Sequence, residues 1–323
     1  MDEIVVVVEH RKEEVREITY QMLWKAHELC QALSHELTAV VISGGEDDLY
    51  GDIAERANRV IAVEGKAVKH FDGESYKEIL CQLIKERRPF MTLMPHSAYG
   101  MDYAPSVSIK TGLPLATDCV DILLEDSHPK VIRQIYTGKI FSKVAFRESD
   151  GYLITVREGA FPADKAGKYQ GEVIKKDMPS ALPEPARQFV GFEESDAGDV
   201  DISQAELLVS IGRGIGEKEN IEELKGLSEL LGGVLSCSRP VVDKNWLPKY
   251  HQVGTSGKSV KPKVYLAFGI SGAFQHIAGI GGAGTVIAVN KDKKAPIFRV
   301  ADYGVVDDLF KIADALKEKM RDG

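Results

Sequence analysis

Along the first part of the chain, short apolar runs rich in β-branched residues alternate with stretches whose apolar positions recur every three or four residues. Ile4–Val8 is followed by Glu13–Leu33, Leu37–Ser43 by Asp52–Ala57, and Arg59–Val63 by Ser75–Arg87, before Phe90–Pro95 closes the series. Strand and helix in repetition predict a parallel sheet joined by crossover helices. After a helical stretch at Tyr103–Lys110 the pattern changes. Ala116–Leu124, Val131–Tyr136, Lys139–Arg147 and Tyr152–Arg157 follow one another with no helix between them, which predicts an antiparallel hairpin set.

From Phe161 to Asp201 periodicity is lost, and Pro162, Pro179, Pro183 and Pro185 collect among Lys, Glu and Asp residues, as in an inter-domain connection. Alternation then resumes. Ala205–Ile211, Val234–Cys237, Val264–Phe268, Thr285–Val289 and Ile297–Val300 read as strands, and Glu217–Leu231, Ser271–Ala278 and Val306–Met320 as helices. The fold class expected is α/β with two α/β domains. Residues 1–190 form the first, with its antiparallel section and the linker, and residues 200–323 form the second, a doubly wound parallel sheet.

Composition changes this picture little and excludes a good deal. The chain has 323 residues, 44% hydrophobic and 28% charged, with 41 Lys and Arg against 49 Asp and Glu, a formal charge of −8. That length suits two domains with ample core. An acidic surface without a basic run repels phosphate backbones, so no nucleic-acid partner is expected. The apolar runs are strand length, short of the ~18–20 residues of a spanning helix, so no membrane insertion is expected. Cys30, Cys81, Cys119 and Cys237 are scattered, without the paired spacing of a zinc site or an iron–sulfur cluster, and are expected as buried reduced thiols. The N-terminus lacks the cationic start of a signal peptide, and a cytoplasmic location is expected.

Candidate chemistry lies in the second domain. Gly279-Ile280-Gly281-Gly282-Ala283-Gly284 matches G-x-G-x-x-G, with Asp302 about twenty residues on, where a ribose-binding acid would stand. Yet this loop leaves a helix and enters a strand, the reverse of a dinucleotide loop. Gly212-Arg213-Gly214-Ile215-Gly216 follows a strand and opens the helix Glu217–Leu231, placing the Arg213 cation beside an anion-accepting helix start. Gly269–His276 also joins strand to helix, with Ser271 at the N-cap position and Gln275 and His276 on the first turn. Cys237-Ser238-Arg239-Pro240, Gln252–Lys258 and Asn290-Lys291-Asp292 add polar groups at strand ends, the edge where a phosphate-containing cofactor binds.

Ser238-Arg239-Pro240, His251-Gln252-Val253-Gly254, Gly269-Ile270-Ser271-Gly272-Ala273, Gln275-His276, Ala288–Asp292, Ala295–Phe298 and Val300–Gly304 stand in the order and spacing of the electron transfer flavoprotein α subunit. The second domain resembles that family's FAD domain densely, and the first agrees in layout. The resemblance implies a heterodimer with a β subunit that carries electrons between flavin dehydrogenases, often of acyl-CoA substrates, and a downstream acceptor, with electron bifurcation as an open variant. It implies FAD contacts at Arg213, Ser238, Arg239, Val253, Gly254, Thr255, Ser256, Ser271, Gly272, Ala273, Phe274, Gln275, His276, Asn290, Asp302 and Tyr303. Catalytic and metal-binding residues are not expected.

Within that resemblance, His276 and Arg239 are expected to stabilise negative charge on the reduced flavin, Thr255 or Ser256 to bond its N5 or O4, and Ser271 to meet the pyrophosphate. The chain departs from the family in two places. Thr255-Ser256 stands where Gln-Thr is common, so the N5 hydroxyl would come from Ser256, and glycines at 281–284 replace a more polar turn. Relatives with an added ferredoxin-like domain have more length and cysteines than this chain. Two readings compete: a nicotinamide-dependent oxidoreductase using Gly279–Gly284, and a non-redox nucleotide-binding scaffold.

Overall fold

The computed structural model describes residues 2–11, 14–45, 49–136, 140–164, 166–179, 182, 184, 186–191 and 201–321. The chain divides into two compact units, Met1–Gly191 and Phe192–Gly323.

In the first unit the strands are β1 (Glu3–Val7), β2 (Glu36–Ser43), β3 (Arg59–Glu64), β4 (Met91–Pro95), β5 (Leu115–Glu125), β6 (His128–Ile135), β7 (Ile140–Ala145), β8 (Tyr152–Val156) and β9 (Glu172–Lys176). They form one sheet in the order β9-β3-β2-β1-β4-β8-β5-β6-β7. Its centre is parallel and covered on both faces, which is why β1 (Glu-Ile-Val-Val-Val) is buried throughout. Helix α1 (Glu17–Leu33) packs Met22, Ala26 and Leu29 on one face, and α2 (Gly73–Arg87) and α3 (Ala98–Thr111) pack Ile79, Leu80, Tyr103 and Val107 on the other. Asp72 and Ser97 cap α2 and α3 by accepting the backbone N–H of Ser75 and Gly100.

Three expectations change here. Strands β5, β6 and β7 do form an antiparallel meander, but β8 leaves it and inserts between β4 and β5, parallel to both. Its run Tyr-Leu-Ile-Thr-Val is wholly buried, as two-sided burial demands. Part of the stretch expected as linker is also sheet, since β9 pairs with β3 at the edge. Helix α1 begins four residues later than its pattern suggested, after a short ribbon pairing His10–Arg11 with Glu14–Val15. Glu13, Lys139, Pro183 and Pro185 lie outside the described residues.

The second unit is a six-stranded, wholly parallel sheet built from β10 (Leu207–Ile211), β11 (Val234–Ser238), β12 (Gln252–Val253), β13 (Val264–Phe268), β14 (Thr285–Val289) and β15 (Tyr303–Val305), in the order β12-β11-β10-β13-β14-β15. One face is covered by α4 (Ile221–Leu230), α5 (Arg239–Asp243) and α7 (Leu309–Arg321), around Leu224, Leu227, Val241 and Ala313. Loops, the one-turn helix α6 (Phe274–Ala278) and a 3₁₀ turn at Pro296–Arg299 cover the other, around Ile270, Ile280 and Ile297. That 3₁₀ turn replaces the strand expected at Ile297–Val300, because Pro296 fixes a helical φ at its first position. The edge strands β12 and β15 have two and three residues, too few to show a period of two.

Candidate functional site

In the strand order of the second unit, the connections run one way from β10 to β12 and the other way from β13 to β15. Ligands of such sheets bind beyond the carboxyl ends of the strands where the order reverses, here between β10 and β13. The loops leaving those two strands lie against each other. Gly212 N donates to Phe268 O at 2.9 Å and Gly214 N to Gly269 O at 3.0 Å, and a Cβ on Gly212 would fall 2.3 Å from Gly269 O. The glycines of both loops are therefore used first to let the two backbones meet.

Beside this contact a cleft of about 280 Å³ opens along the ends of β11, β12 and β13. It brings together ten of the expected residues: Ser238, Arg239, Val253, Gly254, Ser256, Ser271, Gly272, Ala273, Gln275 and His276. Pro240, Asp243 and Ile270 complete its wall. Arg239 starts the short helix α5, and its side chain is 66% exposed, with Nε 3.5 Å from Asp243 Oδ2. Gly272 has φ +79°, and a Cβ there would lie 2.3 Å from Ile297 N, so only glycine closes this turn.

The wall opposite is the turn 252–258, closed by Lys258 N to Gln252 O (2.8 Å), Gly257 N to Gly254 O (2.9 Å) and Gly254 N to Lys258 O (3.1 Å). It is clipped to α6 where Thr255 N donates to Gln275 O at 2.9 Å. Gln252 is 4% exposed, and its Nε2 donates to Ser256 Oγ at 2.9 Å.

His276 departs from expectation. Its Nδ1 is 3.2 Å from Val253 O and its Nε2 is 2.8 Å from the Tyr265 hydroxyl. A carbonyl only accepts, so Nδ1 carries the proton and Nε2 accepts the tyrosine O–H. Burial pushes the imidazole down to about 4, so the ring is neutral near pH 7. It lines the cleft with both nitrogens already bonded to the protein, and Arg239 is the cation in the wall.

Six expected residues do not line the cleft. Arg213 is exposed on a 3₁₀ turn, Arg213–Ile215, and α4 begins only at Ile221, so the expected helix start beside it is absent. Ser271 is likewise not an N-cap, since α6 starts at Phe274 with Ala273 before it. Thr255 contributes its backbone, and Phe274 is half-buried. Asn290 braces the Gly269–Ala273 loop instead, its Nδ2 donating to Ile270 O at 2.8 Å and its Oδ1 accepting from Asp292 N at 2.9 Å.

Asp302 and Tyr303 stand at the wrong end of their strand for this edge. Asp302 Oδ2 accepts from Val286 N at 2.8 Å, and Tyr303 pairs with Ile287, so both lie toward the amino end of β15. At ~3.3 Å per residue Asp302 falls roughly 10 Å short of the carboxyl edge. An acid beyond this strand that does reach that edge is Asp308, whose Oδ1 accepts from Phe310 N and whose Oδ2 pairs with Lys291 Nζ at 2.7 Å. Its signal was its position just beyond a strand, hidden because β15 is so short.

The Gly284 end of Gly279–Gly284 lies at the opposite edge of the sheet, where Gly284 N donates to Pro262 O and the N–H of Thr285, the first residue of β14, to Lys263 O. Gly279 instead receives the site turn, for a Cβ there would lie 2.6 Å from Gly254 Cα. The loop is a spacer on which the 252–258 turn rests.

Comparison with known proteins agrees with this architecture. The sequence model of the electron transfer flavoprotein domain matches residues 4–181, and that of the electron transfer flavoprotein FAD-binding domain matches residues 201–281. The chain is 34% identical over 324 residues to the electron transfer flavoprotein subunit alpha of Methylophilus methylotrophus, covering 99% of each. It is 33% identical over 318 residues to the subunit alpha of Clostridium acetobutylicum, covering 96% of this chain and 94% of that one. It is also 29% identical over 316 residues to the lactate dehydrogenase (NAD(+),ferredoxin) subunit LctC of Acetobacterium woodii, covering 97% of this chain and 75% of that one. With both units matched in order along nearly the whole chain, this protein belongs to the electron transfer flavoprotein α-subunit family.

Proposed function

We propose that FAD lies along the carboxyl edge of the second unit, with its redox-active end in the cleft between Arg239, Ser256 and Ser271. As a member of its family the chain is an FAD-binding electron carrier that works as a heterodimer with a β subunit. One observation supports the location above others: hydroxyls, a guanidinium and backbone turns that admit no Cβ converge beside the switch point of a dinucleotide-type sheet.

The donor set fits this group. A cleft of about 280 Å³ is too small for a whole dinucleotide, and the polar strand ends beyond it extend the edge. Bound FAD supplies reversible one- and two-electron transfer. The chain's part is to hold and bias it. Arg239 offers positive charge to a ring that gains negative charge on reduction, and Ser256 offers a hydroxyl hydrogen. His276 contributes a fixed neutral wall rather than the donor expected of it.

The finer reading is that the heterodimer takes electrons from an acyl-CoA-type flavin dehydrogenase and passes them to a downstream acceptor. A bifurcating role is the second reading, favoured by the similarity to LctC, whose name couples NAD(+) with ferredoxin. The test is to co-purify the chain with its β subunit, count flavins per heterodimer, and titrate anaerobically with reduced dehydrogenase and with NADH. One flavin reduced by the dehydrogenase and inert to NADH supports the simple carrier. Two flavins, one of them reduced by NADH, support bifurcation, and a colourless heterodimer overturns the FAD reading.

A further inference from the structure

We propose that Gln252 is the positioning residue for the Ser256 hydroxyl, fixing the direction in which it donates into the cleft. The proposal rests on the reading that the cleft holds the redox-active end of FAD.

Gln252 opens β12, the outer strand of the sheet, where it pairs with Cys237. Its side chain is turned inward and 4% exposed, and among the described residues the partner of its Nε2 is Ser256 Oγ, at 2.9 Å. A buried amide donor is costly to leave unpaired, so this bond holds the serine. The backbone reinforces it. Gln252 O accepts from Lys258 N, and Gly257 runs so close that a Cβ on it would lie 2.2 Å from Gln252 O, which folds Ser256 back over the amide.

A serine hydroxyl has one hydrogen and two lone-pair sites. The amide N–H occupies one lone pair, so Ser256 cannot spend its hydrogen on Gln252. Ser256 lines the cleft, and its O–H is left for an acceptor there. Donation into the oxygen also polarises the O–H and makes it the stronger donor. A flavin nitrogen or carbonyl oxygen that gains electron density on reduction is such an acceptor. Gln252 would thus raise the flavin's potential without touching it.

The experiment uses the co-purified αβ heterodimer with Gln252→Leu, Gln252→Glu, Ser256→Ala and the double variants, each checked for an unchanged unfolding midpoint. FAD retention on dilution and the flavin midpoint potential against a reference dye are read together. Gln252→Leu removes the donor at similar volume. Gln252→Glu inverts the bond, because a carboxylate accepts the serine hydrogen and draws it out of the cleft.

Both are expected to lower the potential and to weaken FAD retention roughly three- to tenfold, the loss of one hydrogen bond. Gln252→Leu should not shift the potential further once Ser256 is alanine, since its effect passes through that hydroxyl, whereas the carboxylate of Gln252→Glu also acts on the flavin directly by its charge. An additive shift for Gln252→Leu, or an unchanged potential in both Gln252 variants with FAD bound, overturns the proposal while leaving the FAD reading standing. If Ser256→Ala itself leaves the potential unchanged, the role of Ser256 falls and this proposal with it. A wild-type heterodimer without flavin overturns both. Should the leucine variant not fold, Gln252→Asn, which withdraws the amide by one methylene, carries the same expectations.

Discussion

Arg239 and His276 were expected to share one task, and their surroundings separate them. Arg239 stands largely in water, with Asp243 as a loose partner. Arg239→Ala is expected to lower the first reduction potential of bound FAD. A hydrogen bond to a charged group is worth about 1.5–3 kcal/mol, and solvent screening puts this one at the lower end, about 60 mV for one electron. An unchanged potential with FAD retained would remove Arg239 from the redox site. His276 is neutral, and its folded value of about 4 lies below the ordinary 6.5. Between those values the unfolded chain binds a proton that the folded ring refuses, so stability is lost as pH falls from 6.5 towards 4, by up to about 3 kcal/mol. His276→Gln, which can keep both hydrogen bonds, should flatten that loss, and denaturant midpoints at pH 7, 5.5 and 4.5 would read it. Equal slopes in the two proteins would mean that the ring titrates normally.

The glycine loops show how far short motifs can be trusted. Gly279–Gly284 matched the dinucleotide pattern letter for letter, and what disqualified it was legible beforehand: helix before, strand after. What was not legible is that Gly279 makes room for Gly254. This predicts a contrast between neighbours. Gly279→Ala should destabilise the second unit by about 1–3 kcal/mol and weaken FAD binding, because it pushes the 252–258 turn off its seat. Gly281→Ala faces open space, its nearest neighbour being Ala278 O at 3.9 Å, and should leave unfolding and FAD content unchanged. In a true dinucleotide loop the second glycine is where backbone meets pyrophosphate, so loss of FAD from Gly281→Ala would return the loop to the cofactor. The misplacement of Asp302 and Tyr303 has the opposite origin. Their motif matched, but three residues of edge strand carry no period, and register alone put them toward the amino end.

For the chain as a whole, the α/β class, the parallel core and the resemblance were all open to reading. Among the described residues no helix is long and apolar enough to cross a membrane. All four cysteines are buried and free, and burial pushes Cys30, Cys119 and Cys237 up to about 12. A cleft of about 280 Å³ is too small for this chain to enclose a whole FAD. FAD should therefore bind the α chain alone weakly and be retained on adding the β subunit. Equilibrium dialysis of FAD against each form checks this, and tight one-to-one binding by the α chain alone would contradict it.

Local pattern was enough for the long elements and for the order of the motifs, because burial on one or both faces writes its period directly into neighbouring residues. It was also enough for the glycines, hydroxyls and arginine at the ends of β11 and β13, since parallel strands send all their carboxyl ends to one edge. Pattern could not say that β8 slips between β4 and β5, that Asn290 braces a loop, or that Tyr265 and Val253 claim both nitrogens of His276. Each of those depends on which distant segments pack together. Hydrogen bonding and desolvation act through space, and a residue's neighbours in space are fixed only when the strands have taken their places in the sheet.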